Sequence, residues 1–369
     1  MVWGDFWELF HVAERLPPVI TSRSLVVGLS MCVALAACAS SEDGAAPSVS
    51  AGSGDTTYPL TITNCGRKLV FTKAPSKVVL LNGSSVGEVE SFIALGLQDR
   101  IVANSQSYGV SEDPAMVGAI AKLPTGGLKL NESFEVPREQ VLAQSPDLVV
   151  STWAGGFDDK IGSITRDQLD KLKINSYVPP SNCAFGAKNP SEAEKTALKN
   201  QSYENSYDLI ADLGKIFGVQ SKATALIEAS KQRIEAAKKP VRSDVHILLV
   251  FPGMGAMNAN GLPAVFGGPL VDSIINAAGG VNSFPGRQFA DMSNINAEEL
   301  AAAKVDVLVI GLFQPTEDAQ KFADALFKKY PQWAATKSKN FVAVSDSTYL
   351  GPLNAIAIER MSAGVAKVG

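Results

Sequence analysis

Histidine is nearly missing from this chain of 369 residues, with two in all. His11 sits near the start, and His246 lies inside the apolar run DVHILLVF. That scarcity counts against nucleophilic catalysis, which needs a base beside the nucleophile, and against zinc centres built from His and Cys clusters. The four cysteines, Cys32, Cys38, Cys65 and Cys183, supply no such cluster. No P-loop and no G-x-G-x-x-G follows a strand-like run, so nucleotide binding has no support. There is no basic tract, and the formal net charge is −4, which leaves no electrostatic footprint for nucleic acid. Long apolar runs are missing as well. The one segment suited to a membrane, Leu25 to Ala37, is too short for a comfortable span and has the length of a signal-peptide core.

What is there begins with that segment. It ends in Leu35-Ala36-Ala37-Cys38, which resembles the bacterial lipobox, whose cysteine takes a diacylglyceryl group before cleavage. Residues 1–37 therefore read as a signal peptide, and residues 38–57 as a lipidated Cys38 followed by a flexible Ser/Gly/Ala-rich tether. Two acyl chains on Cys38 would anchor the protein stably, where one would not. Residues 1–20 fit poorly: Asp5, Glu8 and Glu14 stand against Arg15, whereas a signal n-region is basic. A misassigned translation start, with the working signal beginning close before Arg23, is the hypothesis this motivates; mass analysis of the uncleaved precursor tests it. Cys32 leaves with the signal, so Cys65 and Cys183 remain, either bridged or as two buried thiols.

The stretch YPLTITNCGRKLVF, 58–71, alternates on each side of Asn64-Cys65-Gly66-Arg67 and predicts a β-hairpin. Strand-like runs follow at 77–82, 101–104, 147–151 and 174–178, then at 245–251, 305–311 and 341–345, with helical patterns between them. Such alternation predicts an α/β protein with two Rossmann-like βα lobes, at 58–220 and 241–369. Residues 221–240 keep helical spacing at Ala223, Leu226, Ile227, Ile234 and Ala237 and end at Pro240, as a single long helix joining the lobes would. EQVLAQSPDLVVS from Glu139 and EELAAAKVDVLVI from Glu298 echo one another, each opening a short helix that feeds a strand. A ligand cleft is expected between the lobes, outside the carboxyl ends of their strands.

Gly83-Ser84-Ser85-Val86-Gly87 satisfies G-x-S-x-G, the nucleophile elbow of serine hydrolases. A cell-envelope hydrolase using Ser85 is thus the rival of another class, but neither histidine suits it as a base. The small residues are better explained by access, letting a bulky ligand approach the backbone. The expected walls are Asn82, Ser84 and Ser85 after the first strand, Tyr108 after the second, and Trp153 and Phe157 after the third. In the second lobe they are Phe251, Met254, Phe313 and Tyr349, with Arg287 as a lone cation in an aromatic setting. Aromatics with a few hydroxyls and one arginine suit a bulky, partly anionic organic ligand.

Lipobox, tether, hairpin and two βα lobes around a long helix, with the local stretches KVVLLN…EVESFIALGL, DLIADLGKIFGV and GGPLVDSIINAAGG, resemble the substrate-binding lipoproteins of ABC importers for iron–siderophore complexes and cobalamin. The resemblance runs from about Tyr58 to Met361. It implies a monomer that is no enzyme and holds no cofactor of its own. Such a protein stays outside the cytoplasmic membrane and delivers a ferric siderophore to an ABC permease and its ATPase. Cobalamin, haem or another large organic cofactor, such as a deazaflavin precursor, is the alternative ligand. In that family a glutamate of each lobe docks onto arginines of the permease, and Glu139 and Glu298 match those positions. NCG with the later PPSNCA looks like the actinobacterial branch, in which these cysteines, here Cys65 and Cys183, pair. The chain departs from its relatives at Gly351-Pro352-Leu353, where many carry Gly-Pro-Arg, and it has no histidine placed like that of haem-binding members.

Overall fold

A computed structural model describes residues 56–83, 85–106, 109–257, 261–287 and 295–369. Cys38, the signal and most of the tether lie outside them, as do Ser84 and Tyr108. No helix among the described residues is long and apolar enough to cross a membrane.

An antiparallel hairpin comes first, β1 (Leu60–Asn64) and β2 (Arg67–Phe71), paired from Leu60↔Phe71 to Asn64↔Arg67. Cys65 and Gly66 make its two-residue turn at φ 50° and 69°, the left-handed backbone that a tight hairpin requires. Four short strands follow: β3 (Val78–Leu80), β4 (Ile101–Asn104), β5 (Leu148–Val150) and β6 (Asn175–Tyr177). They form a wholly parallel sheet in the order β4-β3-β5-β6. Its helices are α1 (Gly87–Ala94), α2 (Pro114–Ile120), α3 (Arg138–Ala143), α4 (Arg166–Lys171) and α5 (Glu192–Lys199). Every residue of β3 and β5 is buried, as expected of a parallel sheet covered on both faces.

After α6 (Asn205–Phe217) and α7 (Gln220–Ala237), the plan repeats. Its strands are β7 (His246–Phe251), β8 (Ala264–Val265), β9 (Val281–Asn282), β10 (Val307–Gly311) and β11 (Phe341–Val344). The helices are α8 (Pro269–Ala277), α9 (Ala297–Ala302), α10 (Ala319–Lys329), α11 (Ala334–Ser338) and α12 (Asn354–Val365). β11, β10, β7 and β9 are parallel neighbours, and β8 lies antiparallel along the last residues of β7. β8 and β9 were not expected from the sequence, because two residues carry no periodicity. With β8 set aside, the two sheets have the same order: β4-β3-β5-β6 and β9-β7-β10-β11. The order turns at β3/β5 and at β7/β10, and the crevice at such a turn is where doubly wound sheets take ligands.

At 18 residues, α7 is about 27 Å long. It gives Ala223 to the core of the first sheet and Ile234 to that of the second. The expected single linking helix has company. α6 puts Leu209, Ile210, Leu213 and Ile216 into the first core, while Tyr203, just ahead of it, belongs to the second. Ser206 on α6 also donates its hydroxyl to Asn354 Oδ1 at 2.6 Å and accepts the Gly351 N–H at 3.1 Å.

Cys65 and Cys183 are bridged, with Cα atoms 5.1 Å apart across 118 residues of sequence. The bridge ties the hairpin turn to the segment after β6. Arg166, 7% exposed, reinforces it by donating to Ser176 Oγ, Ser176 O, Asn64 O and Asn64 Oδ1. Burial without a carboxylate in contact pushes this guanidinium down to about 10.

Candidate functional site

The carboxyl end of β3 opens into Asn82, Gly83 and Ser85. Asn82 donates from Nδ2 to the Phe134 carbonyl at 2.7 Å, while its buried Oδ1 has no partner. Gly83 is forced by a residue just after β5, since a Cβ there would lie 2.3 Å from Thr152 Oγ1. Gly87 is forced by the other lobe, where a Cβ would lie 2.0 Å from the Leu350 carbonyl oxygen. Both glycines of the G-x-S-x-G pattern thus answer to protein atoms. This corrects the expectation that the glycines are small to admit a ligand.

Ser85 is 2% exposed, and its Oγ accepts the Gly87 N–H at 3.3 Å. His246 stands at the amino end of β7, about 16 Å along that strand from the crevice. There its backbone N–H donates to Asp306 Oδ2 at 2.8 Å, and its Nδ1 lies 3.3 Å from the same oxygen. The base that Ser85 would need is committed elsewhere.

Trp153, after β5, is half-buried with its ring 5.2 Å from that of Phe185. Gly155 and Gly186 form its bed, as a Cβ on either would fall 2.2 and 2.4 Å from ring carbons. Phe157 is 6% exposed in the core beside Val79, Leu81 and Val149, with the Arg166 guanidinium 5.9 Å from its ring centroid. It is a core residue and does not join Trp153 at a surface.

In the second lobe the expected wall residues Phe251 and Met254 prove to be core, and only Phe313 and Tyr349 stay partly exposed. Phe251 is 1% exposed, 4.3 Å from Phe266 and 6.2 Å from Tyr349 between ring centroids. Gly311 at the end of β10 makes room for the Phe251 ring, which would otherwise meet a Cβ at 2.4 Å. Met254 belongs to the same cluster, and half-buried Phe313 and Tyr349 lie against it. Tyr349 is half-buried, its hydroxyl is buried without a partner, and burial raises its pKa well above the ordinary value. Arg287 corrects another expectation. It is no lone cation: its side chain is 14% exposed, 3.9 Å from Glu299 and 5.3 Å from the Phe284 ring centroid. An inward-facing charge is held by a counter-charge, as its desolvation demands.

The signal that sequence reasoning missed is acidic. Glu88, Glu90, Glu135 and Asp346 are at most 3% exposed, and each has at least one carboxyl oxygen without a partner. Burial is the foremost cause that raises the pKa of all four. Glu88 accepts from Gln106 Nε2 at 2.8 Å and Thr152 Oγ1 at 2.9 Å, and Asp346 Oδ1 accepts from the Val86 N–H at 2.9 Å. Glu88 and Glu90 open α1, where the sequence presents them as ordinary acids favoured by a helix N-terminus. Only their spacing among Val86, Val89 and Phe92 hinted that they turn inward.

Glu139 and Glu298 are the second residues of α3 and α9. Both are exposed, and the helices lead into β5 and β10, equivalent strands of the two sheets. The helix N-terminus and Arg138, 2.6 Å away, hold the Glu139 carboxyl below its usual range.

Residues 78–347 match the family described as periplasmic binding protein. Similar solved structures include one titled as an ABC-type Fe3+-hydroxamate transport system from Saccharomonospora viridis, 22% identical at TM-score 0.59, covering 84% of this chain and 99% of that one. A periplasmic binding protein from Veillonella parvula is 18% identical at TM-score 0.61, covering 83% and 97%. The periplasmic haem-binding protein RhuT from a Roseiflexus species is 20% identical at TM-score 0.51, covering 78% and 97%. At these identities the likeness is one of fold. No curated protein matches the chain.

Proposed function

The chain belongs to the periplasmic binding protein family, and from that premise we propose that it captures a ferric siderophore outside the cytoplasmic membrane and hands it to an ABC permease. Members of this family bind solutes for transport and are not enzymes, so Ser85 needs no catalytic role. Cys38 would carry the lipid anchor and residues 39–57 the tether, with the protein acting as a monomer. The observation that carries the reading is the pairing of walls at the two sheet turns. One lobe offers the half-buried Trp153, and the other offers half-buried Phe313 and Tyr349. A large ligand with an organic shell and sparse polar groups fits that combination. Haem is the second reading, favoured by the unpartnered Tyr349 hydroxyl.

Tryptophan fluorescence tests both. Trp153 stands at the wall, whereas Trp333 is 1% exposed in the core around β10 and serves as an internal reference. Titration with ferric hydroxamates, iron-free siderophores, cobalamin and haem should quench Trp153 with the ferric chelates alone. Trp153→Ala should weaken that binding by about tenfold. Quenching by haem alone selects the second reading, and no response to any ferric chelate overturns the first.

Glu139 and Glu298 are proposed as the permease contacts. Reversing both charges, Glu139→Arg with Glu298→Arg, should abolish uptake in cells while leaving ligand affinity unchanged. A shift in affinity would count against a docking role.

A further inference from the structure

Between the carboxyl ends of the two sheets the lobes exchange carboxylates. Asp346 follows β11 and is 3% exposed, and its Oδ1 accepts the Val86 N–H at 2.9 Å, capping α1 of the other lobe. Its own N–H donates to the Val110 carbonyl at 3.1 Å. Glu112, ahead of α2, returns the contact. Its Oε1 accepts the Ser345 N–H at 2.5 Å, its Oε2 the Ser347 N–H at 3.0 Å, and the Ser347 hydroxyl also donates to Oε1. Gly109 permits the approach, since a Cβ there would lie 2.8 Å from Asp346 Oδ1. Enclosed beside this exchange is Glu90, 1% exposed, whose carboxyl interacts with the Ser111 and Asp346 side chains.

We propose that Glu90, Glu112 and Asp346 form a proton-dependent clasp that holds the lobes together and lets them part when the Glu90–Asp346 pair loses its proton. The titratable groups acting on Glu90 are Glu112 and Asp113 from the loop before α2 and Asp346 from the other lobe, with Ser111 alongside. Those acting on Asp346 are Glu90, Glu112 and Glu88, with Tyr349 beside it. All are acids, so full ionisation would crowd like charges in a space with little water, and the site keeps a proton instead. Burial first, and Glu112 after it, push Glu90 up to about 8 from an ordinary 4.5. A carboxyl raised in the folded state stabilises that state fully below its ordinary pKa, and the contribution is lost as pH rises through the raised one. The clasp is therefore tightest below about pH 4.5 and slackens progressively as pH rises toward 8.

The test is the distance between one spin label on each lobe of the full mature chain, followed without ligand from pH 4 to pH 9.5. Wild type should open progressively between about pH 4.5 and pH 8 and change little above that. Glu90→Gln keeps the shape without the charge, and its open fraction at pH 9 should be at least tenfold lower than that of wild type. Glu112→Ala, which strips the Ser345 and Ser347 N–H groups of their acceptor, should be open already at pH 4. Should Glu90→Gln fail to fold, Asp346→Asn gives the same readout, because its amide oxygen can still cap α1. A wild-type distance that does not change with pH overturns the clasp, and so does a non-ionising variant that opens over the same pH range as wild type.

Discussion

The two lobes repeat one strand order and differ in almost everything hung on it. The first sheet has strands of three or four residues, while β7 and β10 run to six and five. Its strand ends carry an amide, small residues and inward carboxyls, whereas the second sheet ends in Phe251, Met254, Phe313 and Tyr349. The first lobe is stapled by Cys65–Cys183 and by the buried Arg166; the second relies on apolar mass such as Trp333 stacked on Tyr330 at 4.4 Å. Topology is thus shared because apolar periodicity sets it. Wall chemistry and fastening are set by individual residues at strand ends and turns, which can diverge while the order stays.

Removing the staple should break that contrast most strongly. Closing a loop of 118 residues restricts the unfolded chain, and losing the bridge should cost roughly 3 to 5 kcal/mol. Replacing both cysteines, Cys65→Ser with Cys183→Ser, should split denaturant unfolding into two transitions. The first lobe should melt early and the second near the wild-type midpoint, followed by the fluorescence of Trp153 and Trp333 respectively. If both midpoints fall together, the lobes unfold as one unit and the difference in fastening has no energetic meaning.

Much of this was legible in the sequence. Alternation placed the hairpin and the seven longer strands within a residue or two. Helical spacing marked α7, and the Glu139/Glu298 echo identified equivalent helices before any coordinates. The site was less legible, for physical reasons. Gly83 and Gly87 looked like room for a ligand, but the atoms they accommodate, Thr152 Oγ1 and the Leu350 carbonyl, are 69 and 263 residues away in sequence. Phe157 and Phe251 follow strands, as wall residues do, yet both turn into cores. Glu90 and Asp346 drew no reading from the sequence, because nothing local reports that a second lobe closes over them. Tertiary contact between distant segments is what periodicity does not encode.

The finest distinction concerns how α7 holds each lobe. Toward the first, it crosses α6 closely enough that a Cβ on Gly214 would meet the Ala223 Cβ at 2.5 Å. Toward the second, it offers two neighbouring residues of opposite kind. Arg233 forms a bidentate pair with Glu359 on α12, at 2.9 and 2.8 Å, with side chains 49% and 38% exposed. Ile234 is 2% exposed in the core. An exposed pair gains little over its hydrated charges, so Arg233→Ala should cost about 0.5 kcal/mol, and that cost should vanish near 1 M salt. Ile234→Ala, by contrast, should cost about 2 to 4 kcal/mol at any salt concentration. Urea unfolding of the two variants at low and high salt decides between them. A loss above about 2 kcal/mol for Arg233→Ala would mean that the ion pair, and not burial, fastens α7 to the second lobe.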